Sequence, residues 1–484
     1  MLFMTFNSFA ESLMAMIGIA IGIDYSLLFV RRWREERAKG PDDAAAMIRT
    51  MSTAGRTIAF SGAILLTSLI PLTFSGLPFF SDSSLAVVVV IGIEVLLTLT
   101  FLPALLLTLG NRIDAGRVRR RPVPRRDGPS RWERWARGVM RRPLPVLAAG
   151  VALLLLAASP ALGLRTGIDL NARAMTGEPS VAALTQIEQH FPAAALGPVT
   201  VVVHGGAAAV NTTSERVTDV LRAESRLTDV QGLPVATGTT VVAATPTVGV
   251  DSRSAAGLVH DVRRVLAPLG VGGAQVLVGG VTAETVDYTA RANDVTPWAA
   301  GGTLLLSFVL LLLLFRSPVL ALKAIAMNLL SIAAAFGLTV LVFQEGHGEK
   351  LLDFTSPGYI QSWMPLSLFM VLFGLSMDYE VFMVTRMREE WQITGETTSA
   401  VARGLSHTGS VVTSAAAIMV AIFASFVLTT IPEMKQMGFG MAVAVLIDAT
   451  VVRAVLVPAF MRLAGRWNWW MPARLDRLLP AVHH

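Results

Sequence analysis

Cysteine is missing from this 484-residue chain. That excludes disulfides, iron–sulfur clusters and thiolate zinc sites. Charge is scarce too: Asp, Glu, Lys and Arg make up 15% of the residues, against 53% that are hydrophobic. Such a composition cannot cover an ordinary water-facing surface. With a mean hydropathy of +0.59 it describes a polytopic membrane protein. The seven histidines are scattered, the last two being His483 and His484, and no spacing suits a metal. Gly279-Gly280 sits in a glycine-rich stretch, but no P-loop signature follows, so neither a nucleotide nor any other cofactor is expected and ATP is not the direct energy source. The net charge of +6 does not point to nucleic acid, because the basic residues gather beside apolar runs. Residues 1–12 have neither a positive n-region nor a small-residue cleavage site, so they do not read as a signal peptide. The chain starts just before an apolar run.

Long apolar runs are what the sequence does have. Nine reach bilayer length, at about 13–30, 56–75, 84–108, 143–163, 298–315, 318–343, 363–384, 409–430 and 437–463. The third and ninth are long enough to tilt. The second and eighth hold small residues (Ser61, Gly62, Ala63; Ser414 to Ala417) that allow close helix packing. Basic residues fall on one side of this pattern: Arg31 to Lys39, the twelve arginines of the linker 111–142, Arg316 and Lys323, Arg386 and Arg388, and Arg462, Arg466, Arg474 and Arg477 in the tail. By the positive-inside rule the N-terminus lies outside and the C-terminus in the cytoplasm. The polybasic linker also suits contact with anionic lipid headgroups.

One large polar insert, about 164–297, lies on the opposite side and reads as an α/β domain. Pro198 to His204 predicts a strand. Thr213 to Leu227 predicts a helix with Ser214 as a cap. Gly238 to Val250 predicts one or two strands, Ser254 to Leu266 a helix and Ala274 to Val278 a strand. Thr282 to Asn293 predicts a helix returning to the membrane. A βαββαβ sandwich is the simplest assembly. The expected organisation is a first membrane repeat at 1–110, the linker 111–142, a span at 143–163, the α/β domain 164–297, a second membrane repeat at 298–463 and a tail at 464–484.

The chain also repeats itself. An offset of 354 residues lays Asp24 on Asp378, Tyr25 on Tyr379, Arg32 on Arg386 and Glu36 on Glu390. The same offset pairs Ser52 with Ser406, Gly55 with Gly409, Pro78 with Pro432 and Glu94 with Asp448. The three-span units 13–108 and 363–463 are therefore parallel repeats about an axis along the membrane normal. In each, an Asp-Tyr pair sits inside an apolar span, where a carboxylate costs about 3 kcal/mol on insertion scales. A carboxylate held there beside a tyrosine hydroxyl can take a proton from one side and release it to the other as helices shift. Asp24, Tyr25, Asp378 and Tyr379 are thus candidates for a proton relay. Glu94 and Asp448, with Arg453 five residues on, read first as structural ion-pair groups and second as accessories to the relay. Glu380 abuts the second pair and is a candidate for the same cavity. The Arg-X-Arg-Glu-Glu runs after both Asp-Tyr spans read as topology anchors and charge pairs at helix ends.

These motifs resemble the MmpL proteins, the actinobacterial branch of the resistance-nodulation-division transporters. The segment Phe373-Gly374-Leu375-Ser376-Met377-Asp378-Tyr379-Glu380-Val381-Phe382 is similar to that family's tenth span. Val443 to Pro458, with Ile447-Asp448-Ala449-Thr450, is similar to its twelfth. Gly279-Gly280-Val281-Thr282-Ala283 and the tail Gly465 to Pro472 also match. The resemblance implies a proton-driven exporter of lipids or other hydrophobic molecules, not an enzyme. It implies cross-pairing of Asp24 with Tyr379 and of Tyr25 with Asp378. It starts at the equivalent of the family's fourth span, so the first three spans and first porter domain of the family pattern are not represented. That raises the expectation of a fragment, or of a half-transporter completed by a partner subunit or a further copy. Two other readings share features: the SecDF branch, with the same architecture used for protein translocation, and an intramembrane aspartyl protease, which also needs two Asp residues in separate spans. The duplicated Asp-Tyr pairs favour the first of these three, and no Gly-X-Gly-Asp pattern supports the protease.

Overall fold

The structure, a computed structural model, describes residues 8–40, 42–110, 130–167, 197–248 and 253–472, with isolated positions at 112, 186 and 190. Among the described residues nine helices are long and apolar enough to cross a membrane. They are Leu13–Arg37, Asp43–Thr73, Phe80–Leu109, Pro143–Gly163, Val281–Phe315, Pro318–Gln344, Met364–Thr394, Thr397–Phe426 and Pro432–Trp469, called the first to ninth spans below. A polytopic α-helical fold follows from the solvent, since in hydrocarbon a helix satisfies its own backbone groups. Several helices outrun their apolar stretch. The first continues through Arg37, where Arg31–Glu35 and Arg32–Glu36 pairs one turn apart support it. The predicted helix 282–293 is the opening of the fifth span, which is continuous from Val281 to Phe315. The third span breaks at Thr100, and the ninth winds as a π-helix over Asp448–Leu456.

The repeats pack around a common axis. The first span lies against the third and the eighth, and the second against the third and the seventh. The seventh lies against the eighth, and the eighth against the ninth. Glycine sets how closely they approach. A Cβ at Gly374 would lie 2.2 Å from Leu65 Cδ1, and one at Gly337 would lie 2.0 Å from the carbonyl oxygen of Ala157. The Gly374 contact lets the seventh span close on the second beside the Asp-Tyr pairs.

The insert forms a four-stranded antiparallel sheet in the order β3-β4-β2-β5, from β2 (Val199–His204), β3 (Leu227–Ala236), β4 (Thr239–Pro246) and β5 (Gln275–Gly279). The helices Ala207–Ala223 and Arg253–Leu266 cover one face, so the chain order is βαββαβ. Val199, Val201, Val203, Val217, Leu221, Leu258 and Leu266 form its core. Two expectations need correction. The first helix spans Ala207–Ala223 rather than 213–227, and Ser214 lies inside it, bonding Asn211 O, rather than capping it. The one or two strands expected at 238–250 become β4 alone, and the strand before it, β3, lies outside that range. It is an exposed edge carrying Asp229, Gln231, Gly232 and Pro234, residues that suppress strand patterning and suit an edge.

A short parallel ladder was also missed. Strand β1 (Thr166–Gly167), at the foot of the insert, pairs with β6 (Ile360–Gln361), just before the seventh span. Gln344 reinforces it by donating to Gly163 O and accepting from Arg165 N, each at 2.8 Å. Buried Lys435 donates to the carbonyl oxygens of Leu352 and Asp353 in the same loop. Of the polybasic linker 111–142, residues 113–129 lie outside the described residues, as do 473–484 of the tail. The linker's end is a helix, Arg131–Arg141, with Ser130 as cap accepting from Glu133 N at 3.1 Å. It packs on the eighth span through Trp132 and the 2.7 Å Ser130–Ser406 hydrogen bond, and turns Arg131, Arg134, Arg137 and Arg141 outward.

Candidate functional site

Successive helical residues point about 100° apart, so an Asp-Tyr pair cannot aim both side chains at one neighbour. Two such pairs about a twofold axis can instead meet crosswise, and the side chains are arranged this way. The Tyr25 hydroxyl donates to Asp378 Oδ2 at 2.9 Å. The Tyr379 hydroxyl donates to Met419 Sδ at 3.7 Å, and Tyr379 shares a cavity wall with Asp24. All four residues are at most 9% exposed. They line a cavity together with Thr57, Ile58, Ser61, Phe382 and Val411. Ser61 places a hydroxyl-bearing side chain in the same cavity wall. The sequence offered it only as a small packing residue, and its place opposite the seventh span was the missing signal.

Asp448 and Arg453 form a buried ion pair, and Ser376 Oγ donates to the same carboxylate at 2.6 Å. Five residues is a poor same-face spacing on an α-helix. The π-helical winding over Asp448–Leu456 corrects that, because its wider turn, with i→i+5 hydrogen bonds, brings positions five apart towards one face. Arg453 also donates to Ser376 O at 2.8 Å and lies 4.6 Å from the Tyr379 ring centroid. A guanidinium is thereby held beside the Asp-Tyr cluster.

Glu94, the repeat equivalent of Asp448, is placed differently. Its carboxylate rests against Gly22, the repeat equivalent of Ser376: a Cβ there would be 2.7 Å from Glu94 Oε2. Leu99 occupies the position that corresponds to Arg453. The first repeat therefore keeps the acid without its serine or its arginine.

Glu380 is not in the Asp-Tyr cavity. It pairs with Lys323, whose side chain is fully buried. This corrects two expectations, since Lys323 had been counted among the aqueous topology anchors. Five residues into the sixth span, it needs a buried anion to be tolerated. The runs after the Asp-Tyr spans do form charge clusters. Glu36 is 2% exposed and meets Arg32 at 2.9 Å, Lys39 at 2.7 Å and Arg49 at 3.0 Å. Glu390 lies 3.9 Å from Arg403, the repeat equivalent of Arg49.

The chain matches the MMPL family over residues 1–146 and 172–479. It is 35% identical, over 99% of its length and 51% of the other protein, to the mycolic acid-containing lipids exporter MmpL11 of Mycolicibacterium smegmatis. It is 34% identical, over 99% of its length and 50% of the other protein, to the heme uptake protein MmpL11 of Mycobacterium tuberculosis. The chain spans about half the length of these curated relatives. A crystal structure of SecDF in its super-membrane-facing form superposes with a TM-score of 0.53 at 14% identity, covering 94% of this chain and 54% of that one, a likeness of fold alone. Nine spans, a βαββαβ insert and two crossed Asp-Tyr pairs accompany a family match over most of the sequence: the chain belongs to the MMPL family of the resistance-nodulation-division superfamily.

Proposed function

We propose that this chain is the proton-coupling part of a secondary transporter, not an enzyme, that exports a lipid or similar hydrophobic amphiphile across a bacterial cell membrane. The observation that carries this reading is the crossed pair, Tyr25 on Asp378 and Asp24 in one cavity wall with Tyr379, buried at the axis of two repeats. A proton arriving at either carboxylate removes a buried charge and weakens its hold on the tyrosine of the other repeat. Protonation therefore biases how the repeats sit against each other, a two-state rearrangement driven by differential binding of the proton. Asp448, Arg453 and Glu94 adjust the charge around the relay; Glu380 with Lys323 holds the sixth span to the seventh. The sheet at Val199–Gly279 passes the movement to the substrate. The arginine-bearing ends of the spans face the cytoplasm. The protease alternative is disfavoured because each carboxylate meets a tyrosine, whereas acid proteolysis needs two carboxylates sharing one proton.

The test uses the full chain in liposomes with a dithionite-quenchable fluorescent lipid in the lumenal leaflet. An imposed proton gradient is expected to drive lipid transfer, and Asp24→Asn or Asp378→Asn to abolish the gradient-dependent part. Transfer that persists in both variants would remove the carboxylates from the mechanism.

A further inference from the structure

The helix Arg131–Arg141 runs almost directly into the fourth span, whose helix opens at Pro143. At about 100° per residue its side chains divide between two faces. Trp132, Ala136, Val139 and Met140 point into the bundle, and the last three are buried. Arg131, Arg134, Arg137 and Arg141 point the other way and are exposed. Trp135 lies on the border between the faces, 51% exposed, with its ring nitrogen donating to Ala454 O at 2.9 Å.

Two contacts fix the depth of this helix. Ser130 meets Ser406 at 2.7 Å, and the Trp132 ring lies over Gly409. The eighth span carries its last ionisable groups at Arg403 and His407 and is free of charge from Thr408 to Phe426. The helix therefore sits where that span leaves polar surroundings and enters hydrocarbon. It packs against the eighth span and the end of the ninth, Val457–Ala464, so its outer face looks sideways, to the level of the lipid headgroups. Arg137 is paired with Glu133 at 2.6 Å. Among the described residues, Arg131, Arg134 and Arg141 have no acidic partner.

We infer that the outer face of the helix Arg131–Arg141 is a binding surface for anionic phospholipid, with the guanidiniums of Arg131, Arg134 and Arg141 on headgroup phosphates and Trp135 beside them in the interface. A guanidinium fork takes phosphate oxygens bidentately, and an indole with one wet edge suits this layer. Three unpaired cations on one face favour a headgroup with net negative charge over a zwitterion, which brings its own cation. The sequence spread this basic character along the whole linker 111–142; the structure concentrates a surface of defined depth on one folded helix. Because Ser130 and Trp132 hold the helix to the eighth span, a bound lipid braces that span as well. The inference stands apart from the proton relay.

The test uses the full chain. Gly138 lies on the same outer face, and a side chain there meets nothing within 4 Å. In this cysteine-free sequence Gly138→Cys takes one uncharged donor fluorophore. The labelled protein is reconstituted in phosphatidylcholine vesicles containing a minor fraction of phosphatidylglycerol. A trace of acceptor-labelled lipid is added, with the acceptor on an acyl chain of either phosphatidylglycerol or phosphatidylcholine. One arginine near the surface enriches an anionic lipid about fivefold. The phosphatidylglycerol acceptor should therefore quench the donor as the phosphatidylcholine acceptor does at about five times its mole fraction, and high salt should shrink the difference. Arg131→Gln, Arg134→Gln and Arg141→Gln together should abolish the preference, while glutamine in place of the arginines at 113–129 should leave most of it. Equal quenching by the two acceptors in the parent chain at low salt overturns the inference, and that comparison needs no charge-removing variant. A preference undiminished in the triple variant, or one lost only when the arginines at 113–129 are replaced, overturns it too, by placing the lipid elsewhere.

Discussion

At the residue scale, a charge buried within the spans is costly without a partner, and the consequence can be tested on a pair outside the Asp-Tyr cavity. Lys323 and Glu380 are buried against each other. Removing one leaves an uncompensated charge, at a cost of about 3–5 kcal/mol, whereas replacing both with apolar residues of similar volume is close to neutral. Lys323→Met alone should therefore lower the melting temperature in detergent, and Lys323→Met with Glu380→Met should restore most of it. A double variant no more stable than the single would show that the pair contributes geometry beyond charge balance. The same logic explains the asymmetry between Asp448 and Glu94. Asp448 is buried and has both Arg453 and Ser376, while Glu94 is partly exposed and rests on a glycine.

At the element scale, close approach and sheet charge make separate predictions. The fourth and sixth spans touch where Gly337 meets the backbone of Ala157, so Gly337→Ala places a methyl against a carbonyl that cannot swing aside. The expected result is a clear loss of thermal stability, larger than for alanine at Gly301, whose added methyl meets nothing within 4 Å. Equal losses would mean the two spans part without cost. In the sheet domain, Arg226 bridges Glu224 and Asp261 at 2.9 Å each, and its hydrogen bond holds the Glu224 carboxyl below the usual range. A folded-state pKa below the unfolded value of about 4.3 means stabilisation that is present above that pH and lost as pH falls through the folded value. Glu224→Gln should thus flatten the acid limb of the domain's unfolding curve and cost stability at pH 7. The effect should be small because the pair is partly solvated. An unchanged acid limb would remove Glu224 from it.

At the scale of the whole molecule, the membrane part was far more legible than the sheet. Apolar length and the 354-residue offset between the Asp-Tyr pairs announced nine spans and two repeats, because hydrocarbon imposes a strong and simple rule on sequence. Asp24, Tyr25, Asp378 and Tyr379 stand out in the sequence as polar residues against such a background, and the structure gathers them in one cavity. Ser61 does not stand out: a serine in a span acquires meaning only from what faces it. The Asp448–Arg453 ion pair was legible, but its geometry was not, because the π-winding brings together positions that α-helical periodicity sets apart. Strand β3 was hidden by its edge chemistry, and the β1–β6 ladder by being two residues long and closed across nearly two hundred positions. That ladder has a mechanical consequence. It ties the outgoing end of the fourth span to the segment that becomes the seventh, whose helix opens at Met364 and reaches Asp378 fourteen residues later, about 21 Å along its axis. The two spans are laced together at one end, so the helix that carries the buried acid cannot slide along its axis without tugging on the fourth.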